Sequence, residues 1–372
     1  MSGEMKTYIF AAFTDFTSGK MTGAHRRFLE LLTYVAQNAQ VIYVGRKAPM
    51  LDEMPNVRCY IVEDKAPGFL PAHLGEGYVL YKKLRQIRKK ISWDYAVSFH
   101  PVYTICYNWA GYNRIVSLFR EDLVGYQKAL HASAGKIAYV SIQERLAVKA
   151  SDKLIVQCEN DRKHLIARNY KYCKDVDKKV YIQINNANAS WMNTSNVACE
   201  KNPGAPKILF IGNFSDRRKG HSLLLPAAMR LLDEGYRFEL LLAGDGAEME
   251  AWKQRCSNYR EIHFLGRVRN MDTYLRQADF EIVPSLIDSC PNTVLEGMNA
   301  GIAVYGANTG GIPDLLQDQA YLFEANDESI YAFMKEVLES KRYLTDVKKQ
   351  SERKQELCFN WGERIQAVIE CS

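Results

Sequence analysis

The sequence predicts an α/β protein made of two doubly wound parallel-sheet domains facing one another across a cleft. Three observations predict it. "YIFAAF", the Gly-containing loop "TDFTSGKMTG", the helical run "AHRRFLELLTYVAQ" and "VIYVG" follow one another near the N-terminus. The same order restarts after residue 205 as "KILFIGNF", "SDRRKG", "HSLLLPAAMRLLDEG" and "FELLLAG". Between the halves, "NTSNVACEKNPGAP" (193–206) is polar, carries Pro203 and Pro206 and shows no apolar period.

Each element has its reason. Short apolar runs alternating with amphipathic helices specify parallel strands covered on both faces. At 372 residues the chain is too long for one ordinary core, so the restart reads as a second domain. The expected organisation is a first domain over 1–192, a linker over 193–206 and a second domain over 207–355. The segment 356–372 is expected as a C-terminal helix packing back toward the first domain. Further βα units follow in the second half: "EIHFLG", "NMDTYLRQA", the strand "DFEIVP", a helix from about Thr293 to Ala300, and "IAVYG".

Composition narrows the class. Hydrophobic residues at 47% and charged residues at 25% are ordinary for a globular protein. A net charge of +6 suits an anionic small molecule or an acidic membrane surface, and falls short of the concentrated basic face that nucleic acid demands. Nine cysteines without a C-x-x-C pair give neither zinc spacing nor a disulfide framework, which fits a reducing compartment. The first apolar run, Tyr8 to Phe13, is too short for a signal-peptide core and no stretch reaches the ~18 apolar residues of a membrane span. The expected location is the cytoplasm.

Ligands of open α/β sheets sit at the carboxyl ends of the strands, which directs attention to the loops. "SDRRKGH" places Arg217, Arg218, Lys219 and Gly220 between a strand and a helix. Positive charge beside a helix N-terminus suits a phosphate, although a basic turn also suits plain solvent. "DSCPNTVLEGMNAG" offers Ser289 or Asn292 as a helix cap, with Asp288 before the helix and Glu296 in its first two turns. A first-turn glutamate also stabilises a helix dipole, so Glu296 has a structural reading beside the functional one. "TGGIPD" sets Gly310 and Gly311 at a strand end, where backbone approaches something closely or simply turns. His100 ends the apolar run "YAVSFHP", as a packing residue or as a group at the cleft. "FTDFTSGKMTG" lacks G-x-G-x-x-G, which argues against a nicotinamide dinucleotide.

In order and spacing, "IGNFSDRRKG … LLLAGDG … IHFLGRV … YLRQADFEIVPSLIDSCPNTVLEGMNAGIAVYGANTGGIPDLL" resembles the C-terminal domain of family-4 retaining glycosyltransferases of the GT-B fold. The resemblance covers roughly residues 207–316. The first half matches in architecture, with the loop bearing Gly19 and Gly23 on the acceptor side and "ERLAVKASDKLIVQCENDRKHL" at 144–165. It implies two Rossmann-like domains and a nucleotide-diphosphate sugar as co-substrate, with no metal and no other cofactor.

The resemblance also implies roles. Lys219, with Arg217 or Arg218, meets the donor diphosphate. Glu296 accepts hydrogen bonds from the ribose, and Asp288 approaches the donor sugar. The backbone of Asn292, Thr293, Gly310 and Gly311 lies along sugar and diphosphate, Arg267 and Val268 hold the base, and His100 sits near the transferred sugar. Two departures stand out. Asn213 occupies the position where the family has Arg, and Asp288 replaces Glu.

The implied reaction is retaining transfer to a glycan or lipid-linked glycan, in surface polysaccharide or glycoconjugate synthesis. Alternatives are a sugar-nucleotide epimerase and a catalytically silent sugar-nucleotide-binding relative. A further expectation concerns "GYVLYKKLRQIRKKISW" (77–93), with six Lys and Arg residues and Leu80, Leu84, Ile87 and Ile91 at helical spacing. It reads as a helix lying on a membrane or as a basic helix packed on the sheet.

Overall fold

The computed structural model describes residues 5–14, 16–17, 22–67, 72–189 and 204–371. Most of the expected linker, residues 193–203, lies outside the described residues, as does Gly19. The chain divides into two compact units, one of residues 1–127, 132–184 and 360–372, the other of residues 128–131 and 185–359.

The first unit holds a seven-stranded sheet: β1 (Thr7–Ala12), β2 (Gln40–Gly45), β3 (Val57–Ile61), β4 (Tyr95–Ser98), β5 (Ile115–Leu118), β6 (Lys153–Val156) and β7 (Val180–Ile182). Their order is β3-β2-β1-β4-β5-β6-β7, with every pairing parallel. Tyr8, Ile9, Phe10 and Ala11 of β1 are all fully buried, because helices cover both faces of the sheet. That is why the strand reads as a continuous apolar run.

The final helix, Trp361–Glu370, belongs to this unit. It packs on the helix Gly23–Val35 so tightly that a Cβ on Gly362 would stand 2.4 Å from Tyr34 Cγ. Arg27, itself buried, lays its guanidinium 5.3 Å from the centroid of the buried Trp361 ring.

The basic stretch at 77–93 takes the second of its two expected forms, a basic helix packed on the sheet, over shorter bounds. The helix runs Ala72–Ile87 and gives way to a single tight turn, Arg88–Lys90. Leu80, Leu84 and Ile87 join the core cluster with Val102 and Tyr107, and Ile91 packs against it. The apolar stripe read as membrane-facing is therefore the stripe that seats the helix on the sheet.

The second unit holds β8 (Lys207–Ile211), β9 (Glu239–Ala243), β10 (Ile262–Gly266), β11 (Phe280–Val283), β12 (Ala303–Ala307) and β13 (Leu322–Phe323), in the order β10-β9-β8-β11-β12-β13. All are parallel, so this is a second doubly wound, Rossmann-like sheet. Ile208, Leu209, Leu240 and Leu242 are each fully buried. At ~1.5–3 kcal/mol for each such side chain, their burial fixes the register of the central strands. Among the described residues no helix is long and apolar enough to cross a membrane.

Candidate functional site

In the second sheet β8 and β11 are neighbours, yet the chain leaves them in opposite senses, toward β9 and toward β12. This switch point leaves room at the carboxyl ends for two loops, 212–220 and 284–291, side by side. They are stitched together. The Leu286 N–H donates to the Arg218 carbonyl at 2.7 Å. Gly220 has φ +73°, and a Cβ there would lie 1.9 Å from the Pro284 carbonyl oxygen, so position 220 requires glycine.

Side chains bridge the same gap. Lys219 Nζ donates to Asp288 Oδ2 at 2.6 Å, with the two side chains 24% and 19% exposed. A third loop, after β12, locks Asp288 from behind. The Gly311 N–H donates to the Asp288 carbonyl at 2.9 Å, and Thr309 Oγ1 donates to the Ser285 carbonyl at 2.6 Å. Gly310, at φ +55°, would bring a Cβ to 2.1 Å from that Asp288 oxygen. The expected close approach at the double glycine is thus an approach to the loop that carries Asp288.

The helix Asn292–Ala300 starts at this junction. Its N-cap is Pro291, with no side-chain capping bond, so the expected caps Ser289 and Asn292 do not serve. Asn292 Oδ1 accepts from Asn185 Nδ2 at 3.1 Å, while Ser289 Oγ is buried without a hydrogen-bond partner. The N-cap residue thus offers the first N–H groups of the helix no side-chain acceptor, and the positive end of the helix dipole lies at this junction. Glu296 follows Asn292 by four positions and Thr293 by three, which puts the three on one helix face. No acidic residue lies in the first turn, so the dipole explanation for Glu296 loses its footing.

The remaining cations of the basic loop are engaged locally. Arg217 Nε donates to Glu248 Oε1 at 2.7 Å, and His221 Nε2 lies 3.0 Å from the other oxygen of that carboxylate. Arg217 first, then His221, hold Glu248 below the ordinary carboxylate range. Arg218 grips Asp216 through Nε at 3.0 Å and Nη2 at 2.8 Å. Burial would raise Asp216, but the Arg218 hydrogen bonds and charge outweigh it and hold the carboxyl down. Asn213 Oδ1 accepts the Ser215 N–H at 2.7 Å, so this side chain shapes the turn. Of the residues expected at a diphosphate, Lys219 is brought to Asp288, while Arg218 is held by Asp216 of its own loop and Arg217 by Glu248 beyond β9.

Beyond β10, Arg267 is exposed and Val268 packs against the cluster of Leu209, Leu241 and Leu275. The Gly266 carbonyl accepts the Gly244 N–H at 2.9 Å, which ties this loop to the carboxyl end of β9.

In the first unit, His100 follows β4 and is the N-cap of the helix Pro101–Trp109, its Nδ1 accepting the Val102 N–H at 3.2 Å. At Nδ1, then, His100 serves as the cap of this helix. Gly23 opens the helix Gly23–Val35, whose N-cap Thr22 forms a reciprocal box with His25.

Sequence reasoning missed Glu281. It took "FEIVP" for an apolar run, and the residue is fully buried in the middle of β11 with both carboxylate oxygens unpartnered. A Cβ on Gly297 would lie 2.3 Å from Glu281 Oε2, which places the carboxyl directly under the helix bearing Glu296. Burial first, then the neighbouring Glu296 charge, pushes its pKa well above the ordinary value. A charge inside an otherwise apolar strand was the available signal.

Comparison with known proteins follows the same division. Residues 205–340 match the model of glycosyl transferases group 1. The chain is 29% identical to Protein CapJ of Staphylococcus aureus over 128 residues, 32% of each chain. It is 34% identical to N-acetyl-alpha-D-glucosaminyl L-malate synthase of Bacillus anthracis over 94 residues, 24% of this chain and 25% of the other. These matches span only a quarter to a third of the curated relatives' length. The fold is similar throughout to Anabaena HepE, solved with UDP and glucose, at a TM-score of 0.71 and 14% identity, covering 99% of this chain and 100% of that one.

Proposed function

Since this chain belongs, through residues 205–340, to the glycosyl transferases group 1 family and has the GT-B fold, we propose that it moves a sugar from a nucleotide-diphosphate donor to a glycan or lipid-linked glycan, with retention at the transferred carbon. The observation that carries the proposal is the meeting of Lys219, Asp288 and the uncapped start of the helix Asn292–Ala300 at the switch point of the second sheet. HepE was solved with UDP and glucose, which supports a uridine-type donor as the first to test.

In this reading the diphosphate lies at the positive N-terminal end of the helix and takes a share of the Lys219 ammonium from Asp288. Fixed positive charge then stabilises the leaving group as the sugar–oxygen bond breaks, without a metal. The departing phosphate accepts the proton of the acceptor hydroxyl on the same face, so no protein nucleophile is required. Glu296 accepts the ribose hydroxyls, Asp288 orients the donor sugar, and Arg267 and Val268 flank the base. His100 acts on the acceptor side through Nε2, because Nδ1 already serves Val102. We place the reaction at the cytoplasmic face of a membrane.

The test is a thermal-shift screen of nucleotide sugars followed by product analysis with acceptors. Stabilisation by one nucleotide class and transfer with retained configuration support the proposal. Epimer formed from donor alone would point instead to an epimerase. Donor binding without transfer across a broad acceptor panel would make the chain a silent relative, an outcome consistent with Asn213 and Arg218 being engaged within the loop and Arg217 being paired with Glu248.

A further inference from the structure

Glu281 is a carboxyl in a place where the second sheet gains nothing from one. It stands in β11 between Phe280 and Ile282, fully buried, in register with Leu209 of β8 and Val304 of β12. Neither carboxyl oxygen has a hydrogen-bond partner among the described residues. Stability alone does not retain such a group, since an apolar side chain of similar length would fill the space without leaving polar atoms unsatisfied. A buried carboxyl without a partner is held as the neutral acid. The helix Asn292–Ala300 lies on it. A Cβ on Gly297 would stand 2.3 Å from Glu281 Oε2 and 2.7 Å from Val304 Cγ2, so glycine lets the helix rest directly on the carboxyl. Gly297 follows Glu296, which is partly buried, so the seat of the helix on β11 and the position of Glu296 are set together.

The surrounding elements direct their own charges elsewhere. Glu296 is the single titratable residue of the helix Asn292–Ala300, and its charge adds to burial in keeping Glu281 protonated. The helix Met271–Gln277 carries Asp272 and Arg276, paired with each other at 2.6 Å, and Tyr274, which packs on the cluster of Leu209 and Leu241. From the helix Tyr343–Glu356, Lys354 donates to the Asn299 carbonyl at 2.9 Å, and Arg353 donates to the carbonyls of Leu315 at 3.0 Å and Asp314 at 2.9 Å. Asp346 of that helix binds Arg342 and the hydroxyl of Tyr305, whose side chain leaves β12 on the face opposite Val304. Ionised, Glu281 would set a second negative charge beneath Glu296 with no hydrogen-bonded cation to offset it.

We propose that Glu281 is a positioning residue for Glu296: protonated, it seats the helix Asn292–Ala300 on β11, and ionised, it lifts that helix, so that nucleotide binding is linked to this one proton. The proton is exchanged with solvent and no other bond changes. The link to nucleotide rests on the ribose role given to Glu296 above, while the seat itself is independent of any ligand. A nucleotide that binds only the seated helix loses affinity in proportion to the fraction of chains in which Glu281 has ionised.

Two measurements on the full chain, from about pH 6 to about pH 10, test the proposal. The first is amide hydrogen exchange across residues 293–300 without ligand, corrected for the intrinsic effect of pH on exchange. Protection is expected to fall as pH rises in the wild type and to stay level in Glu281→Gln and Glu281→Met, neither of which can ionise. The second is affinity for whichever of UDP, GDP and ADP stabilises the chain most. It is expected to fall by up to ~tenfold per pH unit over the interval in which protection falls, and to lose that fall in both variants. Lys219 and the phosphates are common to all three proteins, so the difference isolates Glu281. A merely structural role would alter stability in the variants and leave the pH profiles coincident, which overturns the proposal. Wild-type protection that is level throughout overturns it without any variant. Protection that falls with pH only in the wild type, with no response to any of the three nucleotides, upholds the seat and counts against the transferase reading. Nucleotide affinity with one pH profile in all three proteins overturns this inference and leaves that reading intact.

Discussion

Lys219 Nζ and Asp288 Oδ2 meet at 2.6 Å across the gap between the β8 and β11 loops, with both side chains about a fifth to a quarter exposed. An ion pair with that much solvent access contributes ~0–1 kcal/mol to stability. If the pair exists to present Lys219 to a diphosphate, its worth lies in turnover. Lys219→Ala is therefore expected to reduce kcat/KM by ~10²–10³ while shifting the unfolding free energy by less than ~1 kcal/mol. Urea denaturation and steady-state kinetics on one preparation check both halves. Unchanged turnover would remove Lys219 from the site.

Asp288→Asn separates charge from shape. The backbone bond from Gly311 stays, and only the partner of Lys219 is neutralised. The expected outcome is a change in donor KM together with coupling to Lys219→Ala in a double-mutant cycle of ~0.5–3 kcal/mol. Additive effects would show that the two residues act separately.

Glu296 offers a sharper readout. Nucleotide at about 100 times its Kd stabilises a single-site protein by ~2.7 kcal/mol. Glu296→Ala is expected to cut that ligand-induced shift by at least half while leaving the unliganded melting temperature nearly unchanged, because the side chain is only partly buried and lies outside the first helical turn. A full nucleotide-induced shift in the variant would contradict the ribose assignment.

How much was readable depends on which interactions set each feature. Both doubly wound sheets were legible because strands covered on two faces, such as β1 and β9, must be apolar without interruption, and the period changes visibly at each helix. That Lys219 and Asp288 stand just beyond strand ends was readable from the strand–loop–helix order, whereas Glu296, inside the helix Asn292–Ala300, was singled out by the family resemblance. The partners of Arg217, Arg218 and Asn213 could not, since Glu248 lies 31 positions beyond Arg217 and nothing local announces the contact. The helix Ala72–Ile87 left two readings open for a different reason. Its core-facing leucines obey the same spacing as a membrane-facing stripe, and only the sheet beneath decides which face is buried.

Glu281 makes a pH prediction. Its pKa is raised in the folded chain by burial and by Glu296, so the folded state keeps a proton that the unfolded chain releases near pH 4.5. Between that pH and the folded value the native state binds more protons, and stability falls as pH rises, by up to ~1.36 kcal/mol per unit. Glu281→Met replaces the unpartnered carboxyl with an apolar chain of similar length. The variant is expected to gain little at pH 4.5 and progressively more toward pH 8, read from urea midpoints. A pH-independent difference would mean that the carboxyl does not stay protonated.

Gly220→Ala tests whether the two loops must interlock. The glycine's φ of +73° costs a non-glycine residue ~1–3 kcal/mol, and the added Cβ would press on the Pro284 carbonyl from 1.9 Å. Relief requires the β8 loop to move off the β11 loop, which lengthens the bond from the Leu286 N–H to the Arg218 carbonyl and draws Lys219 from Asp288. Stability and donor affinity should therefore fall together, by more than ~1 kcal/mol in unfolding free energy and at least tenfold in affinity. Gly235→Ala also has a positive φ, +87°, but meets no atom within 4 Å, and should lower stability while sparing donor affinity. Equal loss of affinity in both variants would show that the switch-point contact has no special part in holding the donor.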